Sequence, residues 1–184
     1  RDAQESRGLG DVYKRQMFKC ICGFLQPESG TVLVGGKQIG KELDFPDSVG
    51  IIIEKPGFFL DLSGFANLKR LASLKHRISD DDVRATMRAL GLDPLSKKKV
   101  GQYSLGMRER LGIAQAIMED PELLILDEPF NGLDKQGAGE VCELLRGLKE
   151  RGKTILIAAH NMLEIEWLCD TICEMDAGVL TQIK

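Results

Sequence analysis

Leu123-Leu124-Ile125-Leu126 runs without a break into Asp127, Glu128 and Pro129, and this stretch restricts the fold more than any other. An apolar run closed by charge and proline predicts a strand buried on both faces, as in a parallel sheet. In open α/β sheets, ligands gather at the carboxyl ends of such strands. If strand geometry holds to its end, Asp127 and Glu128 point to opposite faces and take different jobs. One can hold Mg²⁺ through water while the other orients an attacking water. Gly50 to Glu54 and Thr154 to Ala158 read as two more buried strands, with His160 directly after the second.

The segments between these strands carry helical signals. Ser63 opens a helix with Phe65, Leu68, Leu71 and Ala72 on one face. Ser79 with Asp80, Asp81 and Asp82 caps another, whose Val83, Met87 and Leu90 form a narrow stripe before Gly91 ends it. Lys97, Lys98 and Lys99 read as a solvated loop tip. Ser104 starts a helix that carries Met107, Leu111, Ala114 and Met118 as core positions. Its first turn offers free backbone N–H groups, the positive dipole end and the Ser104 hydroxyl to an anion, and Gly106 permits a close backbone approach. Asp134 caps the next helix, with Val141, Leu144, Leu145 and Leu148 facing the core and Gly152 after its last turn. Met162, Ile165, Leu168 and Cys169 form one more amphipathic stripe. Thr31 to Val34 before Gly35-Gly36 reads as a strand and hairpin turn, and Asp176-Ala177-Gly178 turns between the final strands.

Composition sets the limits. A chain of 184 residues with a formal net charge of −3 is an ordinary globular domain, large enough for one good core. Charges of both signs are mixed and no basic patch points to nucleic acid. The longest apolar runs are about five residues, against the roughly 20 that span a bilayer, so a membrane link has to come through a partner. The five cysteines, with no Cys-x-x-Cys and only two histidines, read as reduced, packed thiols rather than a metal site.

Taken together, Leu123–Asp127 followed by Glu128, Asn131-Gly132-Leu133-Asp134, Tyr103-Ser104-Leu105-Gly106-Met107 and His160 after Ile155–Ala159 resemble the nucleotide-binding domain of the ATP-binding cassette (ABC) family. The resemblance runs from about Met17 to Lys184. It implies a three-layer α/β core of the P-loop NTPase (RecA-like) type, interrupted by an α-helical subdomain. Residues 17–59 and 109–184 would form the core, and 60–108 the helical subdomain with the signature motif. It also implies ATP and Mg²⁺ as ligands, with Asp127 on the metal, Glu128 polarising the lytic water and His160 on the γ-phosphate. Ser104, Leu105, Gly106 and Met107, a variant of the LSGGQ signature, would clamp the nucleotide of an opposite protomer, and Asp134, in the D-loop, would join the nucleotide-binding residues. Glu54 stands where the family places a glutamine that touches metal and water. A carboxylate there still binds Mg²⁺ but donates no hydrogen bond.

The family's phosphate loop, GxxxxGK[ST], is absent from these 184 residues. Met17 to Gly30 resembles the helix and Gly-x-x-x-Pro-x-x-Gly connection that come after that loop. Arg1 to Gln16 shows neither apolar periodicity nor a phosphate-binding glycine pattern, and Asp11 to Gln16 resembles a translated sequencing adapter. Residues 1–16 are therefore expected to be a non-native leader, and the fold is expected to lack its N-terminal strands and phosphate loop. By resemblance the protein is the ATP-hydrolysing subunit of a membrane transporter, closest to the subfamily that exports bacitracin-type antibiotics and lantibiotics. Its implied partners are a transmembrane permease and a second cassette, identical or not, at the cytoplasmic face of the membrane. Two alternatives stand beside this: an inactive fragment of such a subunit, or a soluble ABC ATPase acting on ribosomes or DNA. Losing about four charge-assisted phosphate contacts costs at least ~6 kcal/mol, or about four decades of affinity, so the chain as written is expected to be inactive alone.

Overall fold

The computed structural model describes residues 2–54 and 56–184; Arg1, within the expected leader, and Lys55 lie outside the described residues. In chain order the elements are α1 (Asp2–Ile21), β1 (Leu33–Val34), β2 (Lys37–Gln38), β3 (Val49–Ile52), α2 (Gly64–Lys75), α3 (Asp80–Ala89), α4 (Leu105–Ile117), β4 (Leu123–Asp127), α5 (Lys135–Glu150), β5 (Thr154–Ala158), α6 (Met162–Leu168), β6 (Cys173–Asp176) and β7 (Val179–Gln182). They fall into two compact units, one formed by the chain up to residue 49 with residues 160–184, the other by residues 50–159. The helical segment thus shares a unit with β4 and β5.

In the second unit β4 is the middle strand of the order β3–β4–β5, and every one of its residues is buried. It pairs with β5 in parallel, from Leu123 opposite Thr154 to Asp127 opposite Ala158. The expectation that β5 is fully buried does not hold: only Ala158 is, and Ile155, Leu156 and Ile157 are half-exposed. Its place at the edge of the described sheet is the reason, since an edge strand has a neighbour on one side only. Helix α4 crosses β3 so closely that a Cβ on Gly50 would run into the Ala116 carbonyl and lie 2.8 Å from the Leu124 side chain.

Around α4 the helices obey their caps. Ser63 accepts from the Ala66 N–H, and Ser79 forms a reciprocal capping box with Asp82. Helices α2 and α3 pack on each other and on α4. Leu68, Val83, Met87, Leu111 and Ile113 are almost completely inaccessible. One buried polar residue here carries no periodic signal: Asn67, 3% exposed, accepts from the Phe59 N–H (2.8 Å) and donates to the Phe59 and Ser63 carbonyls (3.0 Å each). It thereby closes the loop entering α2 and supplies the Phe59 N–H with its acceptor.

The other unit opens on a helix that reaches well before Met17. A single helix runs from Asp2 to Ile21, where the sequence shows no apolar periodicity before Met17. Local pairing and a neighbour replace periodicity: Lys14 bridges Asp11 at 2.7 Å one turn apart, and the Tyr13 ring lies against Gly178 in the β6–β7 turn. The hairpin turns are as read. Gly35 and Gly36 link β1 and β2, Ala177 and Gly178 link β6 and β7, and all four residues have positive φ. Helix α6 buries only Leu168 fully, so Met162, 46% exposed, is not a core position. At seven residues the helix is too short to turn a full stripe inward.

Replacing Asn67 with alanine leaves the Phe59 N–H without its side-chain acceptor, while the Phe59 carbonyl keeps the Leu62 N–H, and should cost about 2 kcal/mol. Urea unfolding should show a lower midpoint with an unchanged slope. Asn67→Asp should fail to restore it, because a carboxylate would face the two carbonyls that the amide now donates to.

Candidate functional site

The site grows from the end of β4. Asp127 is 9% exposed and, with Asn67, one of the buried polar or charged residues among those described. The next residue leaves the strand. Glu128 has φ of 54°, although its N–H still donates to the Ala158 carbonyl at 2.8 Å. The two acids are therefore not divided by the pleat, as a strand holding to its end would require. The backbone makes a left-handed turn at Glu128 instead. For a non-glycine residue that conformation costs roughly 1–2 kcal/mol and persists where the surroundings impose it. Here the ladder bond on one side and buried Pro129 and Phe130 on the other do so.

The chain then folds tightly. The Asn131 N–H donates to the Glu128 carbonyl, and the Leu133 N–H to the Phe130 carbonyl, both at 3.1 Å. Asp134 caps α5 as expected, accepting from the Gly137 N–H at 2.8 Å.

The first turn of α4 lies directly against this loop. A Cβ on Gly106 would stand 3.0 Å from the Gly132 carbonyl, and a Cβ on Gly132, at φ 75°, would run into the Leu105 side chain. Leu105 is 51% exposed, and the space it needs over the loop is the space that glycine leaves at 132. Ser104 caps α4 through its hydroxyl oxygen, which accepts from the Met107 N–H at 3.2 Å. That lone pair is in use, so what Ser104 can offer an anion is its hydroxyl hydrogen, beside the first-turn N–H groups. The turn is also tied from below. Tyr103 is buried, and its hydroxyl receives the Gly64 N–H at the start of α2, where a Cβ would stand 2.6 Å from it. Burial pushes its pKa up. The position of Tyr103 before the cap was legible in the sequence, but its long-range partner was not.

Ser104, Leu105, Gly106, Met107, Asp127, Glu128 and Asp134 thus share one unit, with the α4 turn and the 131–134 loop in contact. Glu54 belongs to the same unit, exposed and at φ 69° just past the end of β3. His160 belongs to the other unit, where its Nε2 lies 3.4 Å from Asp11 Oδ1. Partial burial pulls the Asp11 pKa up, but the hydrogen bond and charge of Lys14, with His160, more than offset it and hold the carboxyl below its usual range.

Among the described residues no group of three or more His, Cys, Asp or Glu is arranged to hold a metal ion. Mg²⁺ commonly keeps its waters and binds through one or two carboxylates plus substrate phosphates, and a buried aspartate at a strand end fits that mode. Cys22 is buried, which pushes its thiol up to about 11, as for an inert packed thiol. No helix among the described residues is long and apolar enough to cross a membrane.

Comparison with known proteins extends these observations. The ABC transporter family model matches residues 14–131. The chain is 40% identical over 175 residues to the ABC transporter ATP-binding protein YybJ of Bacillus subtilis, covering 95% of this chain and 79% of that protein. It is 44% identical to the bacitracin transport ATP-binding protein BcrA of Enterococcus faecalis, covering 95% of this chain and 58% of that protein. Against the lantibiotic transport ATP-binding protein SrtF of Streptococcus pyogenes it is 36% identical, covering 90% and 71%. Across these relatives the chain spans from little more than half to about four fifths of their length. Among solved structures, cbiO1 of Clostridium perfringens, described as part of an ABC transporter complex, superposes with a TM-score of 0.74 at 29% identity, over 93% of this chain and 72% of that one. An ATP-binding cassette solved as a dimer with ADP and Pi shares the fold, with a TM-score of 0.78 at 18% identity over 93% of this chain and 81% of its own. A strand ending in a buried aspartate and a turned glutamate, with a serine-capped helix resting on the loop beyond, is thus found in a chain that belongs to the ABC transporter family.

Proposed function

We propose that this chain is part of the ATP-hydrolysing subunit of an ABC exporter of antibiotics or peptides, working as one of a pair of cassettes beneath a transmembrane permease at the cytoplasmic face of the membrane. The observation that carries this reading is the pairing of Asp127, buried at the end of β4, with Glu128, where the backbone turns left-handed. Asp127 would hold Mg²⁺ together with the nucleotide phosphates, and the ion would neutralise charge developing on them. Glu128 would accept a hydrogen bond from the attacking water and orient it in line. His160 would donate to the γ-phosphate, and Glu54 would add a carboxylate near metal and water. The Ser104–Met107 turn would present its N–H groups to the nucleotide of the second cassette, and Asp134 would fix the loop beneath it. Similarity to BcrA and SrtF, named for bacitracin and lantibiotic transport, supports the export class.

No GxxxxGK[ST] string occurs within the 184 residues, so the phosphate-holding set is incomplete in the chain as written. Residues 1–16 remain, on this reading, a non-native leader. ATP binding and hydrolysis should be compared in the chain as written and in the chain with a phosphate-loop segment restored from the native locus. Hydrolysis is expected only in the restored chain, and Glu128→Gln should lower its kcat by at least about 100-fold. Tight ATP binding by the chain as written would overturn the account of the missing loop.

Two further substitutions separate chemistry from folding. Glu128→Gly relieves the left-handed strain at the cost of backbone entropy, so stability should change by less than about 1 kcal/mol while hydrolysis is lost. Ser104→Ala removes a cap worth about 1 kcal/mol. In the restored chain it should reduce hydrolysis more than tenfold, beyond what thermal unfolding accounts for.

A further inference from the structure

Arg110 stands at the meeting point of three helices. Only 18% of its side chain is exposed. From the second turn of α4, Nη1 donates to the Leu90 carbonyl at 2.9 Å, at the end of α3, and Nη2 donates to Glu140 Oε2 at 2.8 Å, on α5. Two glycines make room for it. A Cβ on Gly91 would stand 2.9 Å from Nη1, and one on Gly137 would stand 2.7 Å from Nη2. The second oxygen of Glu140 accepts from Gln136 Nε2 at 3.0 Å, so the carboxylate cannot swing away freely. Gly137 is also the residue whose N–H satisfies the Asp134 cap. The guanidinium therefore lies over the turn that ends the 131–134 loop.

We propose that Arg110 is a positioning residue that locks the end of α3 to the first turns of α5, and so sets the 131–134 loop against the Ser104–Met107 turn. A planar fork bonded at both ends fixes orientation as well as distance, which a lysine ammonium cannot do. A displacement of the helical segment would pass through Arg110 to the loop beyond Glu128. Glu140 is held below the usual carboxylate range, by the Arg110 hydrogen bond first and by Gln136 second, as a tightly engaged partner should be. The catalytic consequence rests on the ATPase reading above; the mechanical joint does not.

Amide hydrogen exchange on the chain as it stands tests the joint. Arg110→Met should speed exchange roughly tenfold at Gly91 and Leu92 and at Gly137 and Ala138, leaving Leu124 to Leu126 of β4 unchanged. Glu140→Gln should loosen the α5 end alone, and Arg110→Lys should recover at most one end. In the phosphate-loop-restored chain Arg110→Met should lower kcat about tenfold with KM unchanged. Exchange that is unaltered at both ends, or accelerated equally in β4, overturns the proposal. Full rescue of both ends by lysine does the same, and Glu140→Gln and Arg110→Lys decide the matter if the methionine variant does not fold. If the restored wild-type chain hydrolyses no ATP, the functional reading fails, while the exchange data still judge the joint.

Discussion

Everything in the residue 50–159 unit is arranged by the burial of β4. A strand with no exposed residue needs a backbone partner on each side and a packed layer on each face, because its amide groups and apolar side chains have no recourse to water. Strands β3 and β5 supply the partners. Helix α4 comes so close to β3 that position 50 has to be glycine. Once that layer is closed, the carboxyl end of β4 is the place where polar groups can re-emerge, and Asp127 and Glu128 stand there.

Beyond β4 the close contacts depend on one another. The left-handed backbone at Glu128 starts a tight loop; Gly132 in that loop makes room for Leu105; Gly106 makes room for the Gly132 carbonyl. Leu105, where the family signature has a glycine, therefore does not spoil the turn, because the space was made on the facing loop. Arg110 then ties this assembly to α3 and α5, with Gly91 and Gly137 accommodating its fork. Several neighbouring glycines each fit one particular side chain or carbonyl, so substitutions here are coupled and their effects should not add.

Backbone strain falls at the ends of β3 and β4. Glu128, Glu54 and Asp120 all take positive φ without being glycine. Asp120 serves structure: with Glu122 it holds Lys153, joining the start of β4 to the start of β5. Glu128 lies at the opposite end of the same strand, where the chain turns into the 131–134 loop. One strand is thus secured at its amino end and made to turn at its carboxyl end.

The sequence by itself determined the strands, the caps and the family. Leu123 to Asp127, the serine and aspartate caps at positions 63, 79, 104 and 134, and the Gly-Gly hairpin are local signals, written in periodicity and in side chains that bond their own backbone. Only the tertiary structure decided that β5 is an edge strand, that residues before Met17 continue α1, that Glu128 leaves the pleat, that Asn67 ties down the loop before its helix, and that Tyr103 and Arg110 bond residues distant in the sequence. Those outcomes depend on which groups meet after the chain has folded back on itself. A buried phenol or guanidinium is placed by partners far along the chain, and no local periodicity encodes them.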